Sequence, residues 1–246
     1  MIHPATVAFD ANLVRAWVQA CDLIARQKAV DYVLVTGFGE TWGATEDQRH
    51  ALDHAAQLVG AESPSSVASV LLPRIVRLSE DDAATAIENG QRMFGRGRRK
   101  GLRFSGWRHT YFERLTGAWY DRLGAKESIK QNRVLQAIEK INLWDHNVQA
   151  AIYVHTNLET ETFRTRGSPC LQYVQFRASE NSELSLVGMY RSHDYVNKAL
   201  GNFIGLHDLG QFVAKHTGRR FVGANIVSLN PFITRPSQYN DFAAAI

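Results

Sequence analysis

The sequence predicts an α/β chain, because segments with helical periodicity are interspersed with segments in which apolar and polar residues alternate. Helices are predicted at Asp10–Gln27, Asp47–Val59 and Asn132–Leu143. Strands are predicted at Tyr32–Thr36, Val148–His155, Leu171–Phe176, Leu184–Tyr190 and Phe221–Leu229. No linker rich in proline, glycine or serine and no internal repeat divides the chain, so we expect a single domain over residues 1–246.

The first helix is defined by an apolar stripe and by Asp10, which is placed to cap it. The stripe consists of Leu13, Val14, Trp17, Cys21, Ile24 and Ala25. Cys21 lies within this stripe and is therefore predicted to be a core residue, as free cysteines commonly are. The second helix carries its own apolar side, and Gly60–Ser66 after it is predicted to be a loop.

Acidic residues in Ser79–Asp82 indicate the start of a further helix that extends to about Met93. The helix that follows Asn202 is predicted to run to Gly218, with apolar residues at core spacing. These are Phe203, Leu206, Leu209, Val213 and Ala214. The two strands before it are joined by a turn at Ser179–Ser182, so we expect an antiparallel hairpin whose outer ends meet.

Composition excludes several classes of protein. Apolar residues make up 45% of the chain and charged residues 21%, which is typical of a globular protein and not of a disordered or fibrous one. A net charge of +4 suits an anionic small molecule such as a nucleotide. It is too small to indicate a nucleic-acid-binding protein unless the charge is concentrated in a patch.

Cysteine usage and the N-terminus favour a cytoplasmic protein. Cys21 and Cys170 are far apart and form no CxxC pair, so we expect neither a disulfide framework nor a metal site. Asp10 and Asp22 interrupt the apolar N-terminus, which lacks the basic start of a signal peptide. No apolar segment approaches the roughly 20 residues that span a bilayer, so no membrane association is expected.

Positive charge is concentrated between Arg96 and Arg108, where Phe104 and Trp107 are interspersed with arginine and lysine. Such a segment can bind phosphates and stack on bases, which would make nucleic acid a partner. It can equally be a solvated loop, and the sequence leaves both interpretations open.

A specific ordered motif lies in the second half of the chain. Cys170 follows a proline in Gly167-Ser168-Pro169-Cys170, the hairpin comes next, and Arg191-Ser192-His193-Asp194 then precedes Asn202. This order resembles the thymidylate synthase and deoxycytidylate hydroxymethylase family. The resemblance implies a thymidylate synthase-like fold, with a large mixed β-sheet flanked by helices, and a homodimer that packs sheet against sheet.

The resemblance also implies roles for these residues. Cys170 corresponds to the nucleophile that attacks pyrimidine C6 and so activates C5. Arg191 corresponds to a phosphate ligand that also lowers the thiol pKa, and Ser192 to a second phosphate ligand. Asp194 corresponds to the residue that holds the folate ring, although it is also placed to cap the following helix. Asn202 corresponds to the residue that pairs with the base, and an amide there favours uracil.

Weaker correspondences complete the predicted site. Tyr111 and Arg114 loosely match the family's Tyr-Gly-x-Gln-Trp-Arg segment, and Tyr111 is a candidate catalytic residue. Gln172 and Asn225 are candidate substrate ligands. Ile246 resembles the small-residue C-terminus that closes over the implied cofactor, 5,10-methylenetetrahydrofolate. The family's proton-relay glutamate has three candidates here, all of them also consistent with solvated surface: Glu40, Glu80 and Glu88.

Several family positions are not retained. Val35 replaces a loop arginine that contacts phosphate, and Gln149 and Ala150 replace arginines that reach across the dimer. The segment between Pro231 and the C-terminal tail is also shorter than in the family, which bears on folate use.

The leading hypothesis is a transferase that methylates or hydroxymethylates C5 of a uracil-type nucleotide through a Cys170 adduct. One alternative is a folate-independent enzyme that uses the C6 adduct for deglycosylation or dehalogenation. Another is a nucleic-acid-binding protein with the same fold.

Overall fold

A computed structural model describes residues 6–26, 33–40, 45–99, 110–117, 131–144, 146–154 and 169–245. Six strands form one sheet in the order β1-β2-β7-β5-β4-β3. The strands are β1 (Thr6–Asp10), β2 (Leu34–Gly39), β3 (Val148–Tyr153), β4 (Leu171–Ala178), β5 (Glu183–Tyr190) and β7 (Arg220–Ser228). Pairs β1-β2 and β5-β7 are parallel and the other pairs antiparallel, which confirms the predicted large mixed sheet.

Helices surround one face of this sheet. They are α1 (Leu13–Arg26), α2 (Glu46–Leu58), α3 (Pro64–Ser69), α4 (Arg74–Arg77), α5 (Ala83–Arg99), α6 (Tyr111–Leu115), α7 (Arg133–Asn142), α8 (Leu200–His216) and α9 (Pro236–Ala245). A five-residue π-helix, Tyr195–Ala199, leads directly into α8. Two short strands, β6 (His193–Asp194) and β8 (Pro231–Phe232), pair in parallel beside it.

The predicted hairpin is present and positions the two ends of the motif. Phe176 of β4 pairs with Leu186 of β5, and the turn between the strands includes Ser182, whose φ is 56°. At the outer end, the Arg191 backbone N–H donates to the Cys170 carbonyl at 2.9 Å. The antiparallel pairing therefore brings Cys170 and Arg191 side by side, as expected from the sequence.

The start of the chain differs from the prediction. Asp10 does not cap α1, because it ends strand β1, which the sequence pattern did not indicate. Asn12 takes that place and accepts from the backbone N–H groups of Val14 and Arg15. Asp10 instead accepts from the Asn12 N–H, so the two residues together form the turn from strand to helix. The predicted loop Gly60–Ser66 likewise contains the first turn of α3, capped by Ser63.

Helix α8 is buried along almost its whole length, between the sheet and α3. Gly201 and Gly205 face α3, where a Cβ atom on Gly201 would lie 2.5 Å from Val67 Cβ and 2.7 Å from the Pro64 carbonyl oxygen. Glycine at this position therefore sets how closely the two helices approach. At the other end, Gly218 follows the helix with φ of +61°, the left-handed conformation that glycine adopts at helix C-termini.

The opposite face of the sheet is not covered by any of the described elements. Val7, Phe9 and Tyr153 are 64–65% exposed there, and they alternate along β1 and β3 with buried residues such as Ala8 and Ile152. Asn225 of β7 lies on this face too, because its side chain adjoins the space above Gly37 next to Phe9. We call this surface the open face.

None of the helices in the described part of the chain has the length and apolar character needed to cross a bilayer.

Gly201→Ala is expected to destabilise the protein although alanine is the better helix former. The propensity gain is about 1 kcal/mol, whereas crowding against Val67 and the Pro64 carbonyl costs more, so we expect a net loss of about 1–2 kcal/mol in the free energy of unfolding. Urea denaturation measures this difference. Gln211→Ala, at an exposed position of the same helix, should change stability by no more than about 0.5 kcal/mol. An unchanged or higher stability for Gly201→Ala would contradict the tight packing of α3 on α8.

Candidate functional site

A cavity of about 300 Å³ opens at the end of the hairpin, between α3, α6 and the start of α8. It contains most of the motif residues together with several that the sequence did not indicate. Its lining consists of Glu62, Val67, Val70, Tyr111, Cys170, Ser192, His193, Asp194, Asn197, Lys198, Asn202 and Phe232. Cys170, Tyr111, Ser192, Asp194 and Asn202 of the predicted site thus share one cavity.

Cys170 is half-buried and lies just before strand β4. Its backbone is held by Tyr111, whose hydroxyl oxygen accepts from the N–H groups of Cys170 at 3.0 Å and Leu171 at 3.1 Å. On the other side, Arg191 Nε donates to the Pro169 carbonyl at 3.2 Å. The cysteine is therefore fixed between a helix that precedes it by about 60 residues and the outer end of β5.

Burial controls the acidity of the groups at the base of the cavity. It raises the pKa of the Cys170 thiol, and the positive charges of Arg191 and Lys198 only partly offset this effect. Burial also raises the pKa of Tyr111 to about 12. Both groups are consequently protonated at neutral pH in the free protein.

Asp194 caps the π-helix. Oδ1 accepts from the backbone N–H groups of Val196 and Asn197, and Oδ2 accepts from Asn197 Nδ2 and Thr234 Oγ1, both at 2.9 Å. A carboxylate has about four acceptor positions, and these four bonds occupy them. The capping role considered for Asp194 is therefore present in the structure.

Sequence reasoning missed the ion pair between Lys198 and Glu62, which both line the cavity. Glu62 lies in the segment predicted to be a plain loop, and 136 residues separate it from its partner. The three glutamates considered from sequence have other surroundings: Glu40 pairs with Arg220, Glu80 with Lys215 and Glu88 with Arg92. None of these three lines the cavity.

Asn202 is 5% exposed and lies in the first turn of α8. Its Nδ2 atom is 3.0 Å from His193 Nε2, and His193 Nδ1 is 2.9 Å from Ser228 Oγ. Burial lowers the pKa of His193 to about 3, so the imidazole is neutral. The amide therefore contacts a ring that carries one proton and no charge.

The other described residues of the predicted site do not line this cavity. Gln172 donates to the Pro169 carbonyl, and Asn225 is on the open face, so neither lines the cavity. Arg114 is buried in α6. Ile246 and residues 100–108 of the basic stretch lie outside the described residues, whereas Arg96 lies near the C-terminal end of α5.

Among the described residues, no group of three or more histidine, cysteine, aspartate or glutamate side chains could hold a metal ion.

Comparison with known proteins gives a partial match. A protein of Methanocaldococcus jannaschii named "Putative thymidylate synthase" is 33% identical to this chain over 115 residues. The alignment covers 45% of this chain and 51% of that protein, so the match extends over about half the length of each. No protein-family model matches the chain. The similarity is distant, and it agrees with the resemblance that the motif carries.

The reactivity of Cys170 should follow its raised pKa. We expect its alkylation by iodoacetamide to be slow at pH 7 and to accelerate with pH up to an apparent pKa above about 8.5, the ordinary value for cysteine. Arg191→Met removes the larger of the two favourable charges and should move this apparent pKa upward. Mass spectrometry at a series of pH values gives the rate, with Cys170→Ser to identify the site.

Cys21 provides an internal comparison for this experiment, because it is fully buried and should remain unmodified in the folded protein. An apparent pKa of Cys170 at or below about 8.5 would mean that the cations outweigh burial.

Proposed function

We propose that this protein is a thymidylate synthase-like enzyme that activates C5 of a uracil-type nucleotide through a covalent Cys170 adduct and transfers a one-carbon unit to it. The observation that carries this proposal is the meeting of Cys170, Ser192 and Asn202 in one cavity, with Arg191 beside the cysteine. The cavity volume of about 300 Å³ is at the lower end of the range for small-molecule sites.

The proposed chemistry begins with the Cys170 thiolate. Its sulfur adds to C6, the C5–C6 double bond opens, and the electron pair moves toward O4 to give an enolate. C5 then attacks a one-carbon electrophile, loses its proton, and the sulfur leaves C6. Because Cys170 is protonated in the free protein, the thiol must lose a proton when substrate binds, and the Glu62 carboxylate in the same cavity is the proposed acceptor.

Asn202 supports uracil as the base. Its amide offers one acceptor and one donor to the cavity, which match the N3–H donor and O4 acceptor of uracil. A buried site of this kind rejects a base with the opposite arrangement, because its polar groups would lose their partners. The donor to O4 also stabilises the negative charge that develops there in the enolate.

Phosphate binding is assigned to Ser192, which lines the cavity, and to the adjacent Arg191, which is not part of the lining. Arg191 is exposed, and the planar fork of its guanidinium has the geometry that matches a phosphate group. Lys198 adds a second positive charge within the cavity. A pyrimidine nucleotide with an anionic phosphate is therefore the proposed substrate class.

The proposed site is less well suited to folate than to the nucleotide. Asp194 is the residue expected to hold the pterin ring, yet both of its carboxylate oxygens already accept two hydrogen bonds each. A folate ring would have to displace Asn197 or Thr234 from this carboxylate. This observation favours a second candidate, a folate-independent enzyme that uses the same C6 adduct.

We further propose that the open face is covered by a second copy of the chain. All-parallel sheets are normally covered on both faces, and this mixed sheet contains two parallel pairs, β1-β2 and β5-β7. The open face also exposes apolar and aromatic side chains, with Tyr153 and Tyr173 in ring contact at 5.1 Å. A symmetric dimer would bury this surface against itself.

The test of the proposed activity is release of the C5 hydrogen from 5-tritiated UMP, dUMP, CMP and dCMP. We expect release from a uracil nucleotide, and loss of about 10⁴-fold or more in Cys170→Ala because the nucleophile is removed. Each substrate is assayed with and without 5,10-methylenetetrahydrofolate. Dependence on the donor would support one-carbon transfer, and release without it would support the folate-independent candidate.

Cys21→Ala is the matched control, since it removes the other cysteine, which is fully buried in α1 and is not part of the cavity lining. It should release tritium at the native rate per folded molecule. No release from any of the four nucleotides, or equal release by native protein and Cys170→Ala, would overturn the proposed function.

The proposed dimer predicts a solution mass of twice the 27.6 kDa of one chain. Phe9→Glu places a charge on the open face and should shift the protein toward monomer in sedimentation equilibrium. Leu143→Glu is the control, because Leu143 is also highly exposed but follows α7 on the helical side of the sheet. A native protein that is monomeric at high micromolar concentration would exclude this assembly.

A further inference from the structure

A continuous chain of buried polar groups leads from the cavity into the core. It begins with Asn202 Nδ2 and His193 Nε2 at 3.0 Å and continues from His193 Nδ1 to Ser228 Oγ at 2.9 Å. Tyr195 Oη is 3.0 Å from Ser228 Oγ and 3.0 Å from Thr36 Oγ1. All five side chains are at most 5% exposed, so they depend on one another for hydrogen bonds.

His193 carries no charge at its position in this series of hydrogen-bonded groups. It is fully enclosed, stacks on Tyr190 at 4.0 Å between ring centres, and meets the edge of Phe203 at 5.7 Å. Its pKa of about 3, a consequence of burial, leaves one ring proton at neutral pH. One ring nitrogen therefore donates and the other accepts.

The Asn202 amide determines which ring nitrogen of His193 accepts a hydrogen bond. Asn202 Nδ2 is a donor only, so Nε2 is the acceptor and the ring proton is on Nδ1. Nδ1–H then donates to Ser228 Oγ. In the Ser228–Tyr195 and Tyr195–Thr36 contacts either hydroxyl can be the donor, so both contacts are compatible with bonds that point from the cavity toward β2.

We infer that His193 is a positioning residue that fixes the orientation of the Asn202 amide and thereby makes the cavity select uracil over cytosine; this rests on the proposed function. With Nδ2 held by His193, Oδ1 accepts from uracil N3–H and the second Nδ2 hydrogen donates to O4. Cytosine has an acceptor at N3 and a donor at N4, so both contacts become repulsive. A flipped amide would suit cytosine, but it requires the opposite histidine tautomer and a Ser228 hydroxyl that donates to Nδ1.

Tyr195 Oη is the neighbouring group that can accept from the Ser228 hydroxyl, and Tyr195→Phe removes this hydroxyl while it keeps the ring. The Ser228 hydroxyl then has no acceptor in Tyr195 and can turn to donate to His193 Nδ1, which permits the other tautomer and the flipped amide. Ser228→Ala is a second variant, because it removes the hydrogen-bond partner of His193 Nδ1.

Tyr190→Phe is the matched control, because the Tyr190 hydroxyl has no hydrogen-bond partner and the ring still stacks on His193.

The experiment compares kcat/KM for C5 hydrogen release from the uracil and cytosine forms of the preferred nucleotide. We expect native protein and Tyr190→Phe to favour uracil by at least about 100-fold. Tyr195→Phe and Ser228→Ala should lower this ratio at least about tenfold, in part through a gain on cytosine. A purely structural defect would lower both rates together, so an unchanged ratio in both variants overturns the inference.

The tautomer is measured independently of activity, by long-range ¹H–¹⁵N NMR of native protein labelled with ¹⁵N-histidine. His193→Gln identifies the signal among the nine histidines. A neutral ring protonated on Nδ1 is expected, and a ring protonated on Nε2 would overturn the inference. If no nucleotide releases C5 hydrogen, the proposed function and the selection of uracil both fail, whereas an Nδ1–H signal would still establish the tautomer of His193.

Discussion

The enclosure of α8 is the constraint on which the site depends. A helix buried on nearly all sides must fit its neighbours closely, and Gly201 and Gly205 allow α3 to approach without a side chain in between. The buried charge that it carries also needs a partner inside the protein, since an unpaired buried charge is costly. Asp208 pairs with Arg49 at 2.7 Å, and Asn202 pairs with His193. Close packing on one side thus leaves the amide as the part of α8 that faces the cavity.

Much of this arrangement follows from local sequence patterns. The alternation in β4 and β5 and the short turn between them predict a hairpin, and the hairpin, with a register shift between Leu171 and Tyr173, places Cys170 next to Arg191. What the sequence could not predict are contacts between distant segments. Glu62 reaches Lys198 only because α3 packs on α8, and strand β1 is only five residues at an edge of the sheet. Asn225 was predicted to contact substrate, but the pleat of β7 directs it to the open face.

The raised pKa of Cys170 shows how two opposing effects balance. Arg191 and Lys198 favour the thiolate, but Arg191 is exposed and its charge is screened by solvent, so burial prevails. A phosphate bound at Arg191 would neutralise that charge and weaken its effect further. Activation of the thiol in such a site therefore depends on a proton acceptor near the sulfur more than on the arginine. Glu62, which lines the same cavity and pairs with Lys198, is the acceptor that we propose.

Histidine suits the position next to the Asn202 amide better than other polar side chains would. Arginine or lysine can only donate, so either would hold Oδ1 and turn the amide the other way. Aspartate can accept from Nδ2, but a carboxylate enclosed by Tyr190 and Phe203 would carry the cost of burying a charge. A neutral imidazole accepts on one nitrogen and passes its proton to Ser228 on the other. A neutral imidazole can therefore orient the neighbouring amide in an apolar setting without introducing charge into the cavity.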